Sequence, residues 1–338
     1  MAKLQYYKSP NPNALQLSYS ILEDFHTCPR KYQIIHLNKH STPDLVAQNS
    51  YSLGNVDFAY GHCVAAGVQA WFAGLSSTQI FLSMFDAWDI DLTLNQKNKS
   101  FVTALQAFDK FLSFSQDFDG AELHGWEVAR LADGSPAIEL NFSVVLTPLQ
   151  ESYELGFIGE VTGDDRYNGH IDIVLYHPIR KMFRVLEIKT TGFSYVNEAV
   201  YGNSDQATGY ALITTELAKN YPEASASWDV LYLVYQASQG EWKTFTFVKD
   251  PNEKIEFLTS VLLSSEQIQK FREINFFPKR GGNCFKYNRQ CALYGTCHMN
   301  LLSAPSNQPV EQFDALSSDS LTWEIPINYL MNSILEGK

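Results

Sequence analysis

Hydrophobic positions along the chain follow two rhythms. In the stretch RYNGHIDIVLYHPIRKMFRVLEIKTT, from Arg166 to Thr191, they fall into two short β-branched blocks, 170–177 and 182–189. Pro178-Ile179-Arg180 separates the blocks. Blocks of this length bounded by turn residues predict a β-hairpin. Residues 137–146, 154–161, 228–236 and 242–248 predict further strands, with a turn at Ser238-Gln239-Gly240 between the last two. Helical spacing covers 17–37, 54–75, 78–92, 101–118, 204–221 and 251–273. In 17–37, Ser20 and Glu23 stand at capping-box spacing, and Pro29 breaks the helix directly after Cys28. In 54–75, the small residues Gly61, Ala65, Ala66 and Gly67 leave room for a closely packed neighbour. Residues 120–136 read as irregular, and 303–320 as a Pro/Ser/Asp-rich linker. Residues 322–335 read as a segment that either folds back on the body or serves as a partner hook. Strands interleaved with helices in this order predict an α/β fold in three layers, a mixed central sheet with helices on its faces.

Composition narrows the class. The 338 residues are 45% hydrophobic and 14% aromatic, enough for a sizeable core. No apolar run approaches the roughly 18 residues of a membrane span, and the first residues carry no apolar signal region, so a cytoplasmic, non-membrane protein is expected. The net charge of −12 speaks against broad non-specific nucleic-acid binding but allows a carboxylate-bearing metal centre. Five cysteines, an odd number, argue against a disulfide framework, and Cys63 within its apolar helix reads as a buried small hydrophobe.

The charges within the hairpin stand out against this background. Asp172 sits among Ile171, Ile173 and Val174, and Glu187 and Lys189 flank Ile188 on one face of a strand. A carboxylate inside an apolar run costs several kcal/mol, roughly, unless something pairs with it. A divalent metal would pair with both acids. Read alone, Glu187 and Lys189 make an ordinary same-face pair. Gly169-His170-Ile171-Asp172 followed by an apolar hairpin and Glu187-Ile188-Lys189 is more specific. It resembles the core of the PD-(D/E)XK nuclease superfamily, in the RecB-like branch with CRISPR-associated iron–sulfur exonucleases and phage exonucleases. Gln206 and Tyr210, four apart on a predicted helix, match that family's Gln-x-x-x-Tyr motif. Its Gly-x-x-x-His motif, whose histidine is a metal ligand, is not matched. Four residues after Gly61 stands Ala65, and His62 or Gln69 would have to take the histidine's place. Glu139 is a further metal candidate, with a solvent-facing strand position as its plainer reading.

Four cysteines extend the resemblance. Cys284, Cys291 and Cys297 have six and five residues between them, a spacing with no Cys-x-x-Cys zinc knuckle. With Cys28 they resemble the layout of the iron–sulfur nucleases and imply a 4Fe-4S cluster, with zinc and unliganded thiols as the other readings. Cys28 and Cys284 are 256 positions apart. Closing such a loop costs about 5 kcal/mol of chain entropy, which metal–thiolate bonds would offset. Lys279, Arg280, Lys286 and Arg289, interleaved with Phe285, Tyr287 and Tyr294, suit single-stranded DNA and equally suit a solvated loop.

The resemblance implies a restriction-endonuclease-like core with a helical insertion and an iron–sulfur staple joining the N- and C-terminal segments. One nuclease domain would span 1–302, built from cluster segments at 17–53 and 276–300, a helical part at 54–120 and a core at 137–275. A linker and tail would occupy 303–338. The implied activity is metal-dependent DNA exonuclease action in phage or recombination DNA processing, on single strands or free ends, beside a recombination or CRISPR-adaptation partner. Asp172, Glu187 and the Ile188 carbonyl would hold Mg²⁺ or Mn²⁺. Lys189 would act on the attacking water, and Gln206 and Tyr210 would position substrate or Lys189. The alternative, motivated by Ala65, is an inactive iron–sulfur DNA-binding or scaffold protein on the same fold. A redox sensor is a third.

Overall fold

The structure is a computed structural model that describes residues 11, 14–37, 56–96, 98–146, 164–218, 220–224, 228–286, 289–291, 293–294, 297 and 323–335. The strands are β1 (Gln16–Leu17), β2 (Glu127–Val128), β3 (Ile138–Val145), β4 (Arg166–His177), β5 (Met182–Thr191), β6 (Trp228–Gln236), β7 (Glu241–Val248), β8 (Phe285–Lys286), β9 (Arg289–Gln290) and β10 (Trp323–Pro326). The helices are α1 (Tyr19–Thr27), α2 (Pro29–Tyr32), α3 (Val56–Phe72), α4 (Ser77–Ala87), α5 (Phe101–Phe114), α6 (Glu198–Gly202), α7 (Asp205–Ile213), α8 (Thr215–Ala218), α9 (Pro251–Glu273) and α10 (Ile327–Leu335). The predicted strand at 154–161 lies outside the described residues.

Among the described residues the main sheet has eight strands, six of them in the order β10-β3-β4-β5-β6-β7, while β1 and β2 each pair with β4. It is mixed, with β5 and β6 parallel and β4 and β5 antiparallel. Apolar side chains leave it on both faces. Val185, Val230, Tyr232 and Val234 join a core with Tyr210 of α7 and Phe257, Leu258 and Val261 of α9. Leu186, Leu231 and Leu233 join a second core with Val64 and Val68 of α3, Met84 of α4 and Phe111 of α5. Burying one face against each helical layer removes apolar area from water on both sides of the sheet, which gives the predicted three-layer α/β architecture. The small residues of α3 serve this packing. A Cβ on Gly67 would stand 2.7 Å from Met84 Sδ and 2.9 Å from the Phe108 ring.

Local signals account for several boundaries. Asp250 caps α9 and shares a reciprocal capping box with Glu253, Pro251 occupies the first turn, and Lys270 and Arg272 close the last. The cap of α1 is Ser18, not Ser20. Its Oγ accepts the Ile21 N–H at 3.4 Å, while Ser20 already lies inside the helix. The predicted single helix over 204–221 is two helices. Thr214 ends α7, and its hydroxyl donates back to the Ala211 carbonyl at 2.7 Å, a local bond that competes with the helix ladder. The segment expected either to fold back or to hook a partner folds back: β10 runs parallel to β3, from Trp323 opposite Phe142 to Pro326 opposite Val145.

One feature of β4 shapes everything at the site. On one side it pairs with β3 from Arg166 to Ile171 and again at Ile173, stepping over Asp172. On the other side β1 takes Arg166 and Tyr167, and β5 takes Ile173 to His177. Among the described residues, 168–172 therefore have no strand partner on that second side, and the sheet parts there. Gly169 fits in this stretch because Phe142 of β3 lies over it. A Cβ at 169 would stand 2.1 Å from the Phe142 ring.

Candidate active site

A cavity of about 510 Å³ occupies the parting of the sheet. The start of α1, α3, β4, β5 and α7 wall it, and Asp172, Glu187, Ile188, Lys189, Gln206 and Tyr210 all line it. The hairpin explains the convergence of three of these. Beyond Ile173 and Leu186 the β4–β5 ladder stops, and Asp172 Oδ2 replaces the missing strand partner by accepting the Ile188 N–H at 2.8 Å. Glu187 and Lys189 share the face turned toward α7 because side chains alternate along a strand. Lys189 Nζ lies 2.6 Å from Glu187 Oε1 and donates to Gln206 Oε1 at 3.2 Å, and Gln206 Nε2 donates to the Tyr210 hydroxyl at 2.7 Å. The i, i+4 spacing of Gln206 and Tyr210 thus forms a relay that ends on the lysine.

Charge is concentrated here beyond what the side chains themselves compensate. Burial, and then the Glu187 charge, push the Asp172 carboxyl up to about 8 against the pull of Lys189, the Ile188 N–H and His170. Burial would depress Lys189, but Glu187 and Asp172 outweigh it and hold the amine as a cation. Glu187 is only 3% exposed. Its Oε2 is buried without a hydrogen-bond partner among the described residues. An orphaned acceptor of this kind costs about 1–3 kcal/mol, and two mutually repelling acids ionise together when a cation sits between them. A divalent ion fits this donor set: hard carboxylate oxygens, with a further carbonyl within the same segment.

The structure also brings in residues that the motif reading undervalued. Glu139, His170 and Asp172 each offer a ligand atom, all within 4.8 Å of one another, and together they could hold a metal ion. His170 Nε2 lies 2.5 Å from Glu139 Oε2, and Gln69 Nε2 donates to Glu139 Oε1. Burial lowers the His170 imidazole, but the Glu139 carboxylate outweighs it and leaves the ring above its ordinary value. Glu139 is therefore no solvent-facing strand residue, since its side chain is 21% exposed and bonded on both oxygens. Gln69 is 5% exposed, bonds Glu139, and stands behind the cavity wall rather than in it. His62 and Ala65 line the cavity from α3, with His62 exposed. His170 precedes Asp172 by two positions, but alternation carries no signal across them: Ile171 packs in one core and Ile173 in the other, so the side-chain phase of β4 shifts between the two. Glu139 had no short-range signal either, because the pairing of β3 with β4, which steps over Glu139 and Asp172, brings it beside His170 and Asp172.

The cysteines lie apart from this cavity. Cys28 joins α1 to α2, and its Sγ receives the Arg280 N–H at 3.5 Å. The Cys291 N–H donates to the Cys284 carbonyl at 2.8 Å, and Cys297 is buried with Ile34, Ile35 and Leu293. Burial raises the Cys297 thiol, Lys279 opposes that, and Cys284, Cys28 and Cys291 are all near enough to add to it. The buried Arg30 guanidinium lies near enough to feel the charges of Cys297 and Cys28. Among the described residues, no three of these sulfurs approach one another within 4.8 Å. Tetrahedral zinc with bonds of about 2.3 Å would need them closer than that.

Comparison with known proteins places the chain. A sequence profile of the PD-(D/E)XK nuclease superfamily matches residues 16–298, and the chain belongs to that superfamily. Its members are nucleases that use divalent metal ions. A crystal structure of a candidate exonuclease from Eubacterium rectale is similar at 14% identity with a TM-score of 0.45, over 87% of this chain and 93% of that one. None of the curated proteins matches the sequence. No helix among the described residues is long and apolar enough to cross a membrane.

Proposed function

We propose that this chain is a metal-dependent DNA exonuclease acting in phage or recombination-type DNA processing. The observation that carries the reading is the parting of β4 from β5, where Asp172, the orphaned Glu187 oxygen and Lys189 meet in one cavity. Asp172 and Glu187, with the Ile188 carbonyl, would hold Mg²⁺ or Mn²⁺. When bound, such an ion polarises the scissile phosphate and lowers the pKa of water. Lys189, kept protonated by its acidic neighbours, orients the attacking water and faces the charge that develops on the phosphate oxygens. Gln206 fixes the direction of that amine and is itself fixed by Tyr210. A lysine held from two sides keeps little rotamer freedom, which is what positioning requires.

A 4Fe-4S cluster on Cys28, Cys284, Cys291 and Cys297 would join the N-terminal helices to the C-terminal segment. The supporting observations are the three thiols near Cys297, those of Cys28, Cys284 and Cys291, and the nearby Arg30 cation, which suits an anionic cluster. Hydrogen bonds already bind these segments: Arg280 donates to the His26 carbonyl at 2.8 Å, Asn283 donates to the Thr27 carbonyl, and the Arg30 N–H donates to the Pro278 carbonyl at 3.2 Å. Next to them Phe285 and Tyr294 are exposed and in ring contact at 5.0 Å, with Lys279 Nζ 5.9 Å from the Tyr294 centroid. Rings and a cation at one surface suit stacking with single-stranded DNA. The side chains of Lys286, Tyr287 and Arg289 lie outside the described residues.

The test compares linear duplex, linear single-stranded and covalently closed circular DNA with Mn²⁺, Mg²⁺ or a chelator. An exonuclease shortens the linear forms in the presence of metal and leaves the circle intact. Cleavage of the circle at the same rate contradicts the requirement for ends.

A further inference from the structure

The geometry points to His170 as a direct ligand of the divalent cation, with Glu139 as the residue that positions its imidazole. This rests on the metal-dependent nuclease reading above. Glu139, His170 and Asp172 already form a cluster with ligand atoms within 4.8 Å of one another. Ligands about 2.0–2.2 Å from one ion stand about 3–4 Å apart, so a small contraction would close the set. A second, independent feature faces the same cavity: the Glu187 side chain, 4% exposed, with its buried Oε2 lacking a partner.

His170 and Asp172 stand two apart on β4, across the shift in its side-chain phase and in the stretch that β5 leaves unpaired. The imidazole is paired on one side with Glu139, its Nε2 2.5 Å from Oε2, and the other ring nitrogen would take the cation. Metal-bound histidines commonly carry a carboxylate on their other nitrogen in this way, which fixes the ring and raises its basicity. Glu139 reaches that position through an uncommon backbone. Its φ is +54° within β3, a left-handed conformation that a non-glycine residue keeps when its surroundings hold it there. Gln69 of α3 supplies the hold, donating to the other carboxylate oxygen from a buried position. Meanwhile α3 turns Ala65 toward the cavity, a side chain with no donor atom, and His62 on the same helix stands outside the ligand-distance cluster. The nitrogen ligand of this centre thus comes from the sheet and not from the helix.

The test is electron spin-echo envelope modulation of Mn²⁺ added to the full chain, with Mn²⁺ affinity measured by titration and folding checked by circular dichroism. Wild type should show nitrogen modulation from a bound imidazole, and protein labelled with ¹⁵N-histidine should show it shifted, without any substitution. His170→Gln should abolish it, and His62→Ala should keep it. Glu139→Gln should keep the modulation while weakening Mn²⁺ binding by about 10–100-fold, as loss of an outer-shell partner does. Nitrogen modulation that survives His170→Gln, or wild type that binds Mn²⁺ without it, overturns the assignment and leaves the nuclease reading standing. Mn²⁺ binding abolished by Glu139→Gln as completely as by Asp172→Asn makes Glu139 a ligand itself and overturns its positioning role. A wild-type chain that binds no Mn²⁺ defeats the nuclease reading first.

Discussion

Asp172 Oδ2 accepts the backbone N–H of Ile188 at 2.8 Å, in place of the strand partner that β4 fails to provide there. The acid therefore closes the sheet and opens the site with one carboxylate. Asparagine can accept the same N–H but carries no charge. Asp172→Asn should cost more activity than the roughly 10–100-fold that loss of an outer-shell partner costs. Its effect on the metal-free fold has the opposite sign. The carboxyl is raised from 3.8 to about 8 by burial and Glu187, so the folded state holds its proton more tightly than the unfolded chain does. Wild-type stability from this group then falls as pH rises from about 4 to about 8, and levels off above that. With chelator present, thermal melts should show Asp172→Asn gaining on wild type across that window. A constant difference would show that the acid is not strained by its surroundings.

Gly169 and Phe142 make a second, purely steric prediction. A methyl at 169 would meet the buried Phe142 ring at 2.1 Å. Gly169→Ala should lose about 1–3 kcal/mol in denaturant titrations, the usual cost of overpacking. Phe142→Leu in the same chain should recover part of it. A stable Gly169→Ala chain without that second change would show that the ring is free to move.

The cysteine proposal is read by colour and by melting temperature. Protein purified without oxygen should be brown, with a broad absorbance near about 400 nm expected of thiolate-ligated iron. Cys28→Ser should lose that absorbance and melt lower, because the N-terminal helices lose their link to the C-terminal segment. A colourless wild type that carries no iron would contradict the cluster.

Elements with local signals were legible from the chain. The segment 251–273 carries a cap, a first-turn proline and basic residues in its last turn, and forms α9 over those same residues. The hairpin blocks were found with their turn, and both strands run a few residues further because β1 and β6 extend the pairing at their ends. What could not be read depends on contacts between distant segments. The pairing of β10 with β3 joins residues far apart in the chain, and no pattern within 322–335 names its partner. Glu139 looked exposed because strand alternation assumes regular backbone, and its left-handed φ breaks that rule. Asp172, Glu187, Lys189, Gln206 and Tyr210 were legible because two short spacings carry them, and the cavity they line is made by the end of a ladder that spacing does not show.

The central claim is that Asp172, Glu187 and Lys189 act together on a phosphodiester through one divalent cation. Release of nucleotides from end-labelled linear DNA, followed with Mn²⁺ for wild type and Lys189→Ala in parallel, tests it most directly. Metal-dependent release is expected from wild type, with a rate about 10²–10³-fold lower for Lys189→Ala, the range expected when a group aimed at developing charge is removed. Equal degradation by the two preparations would contradict it.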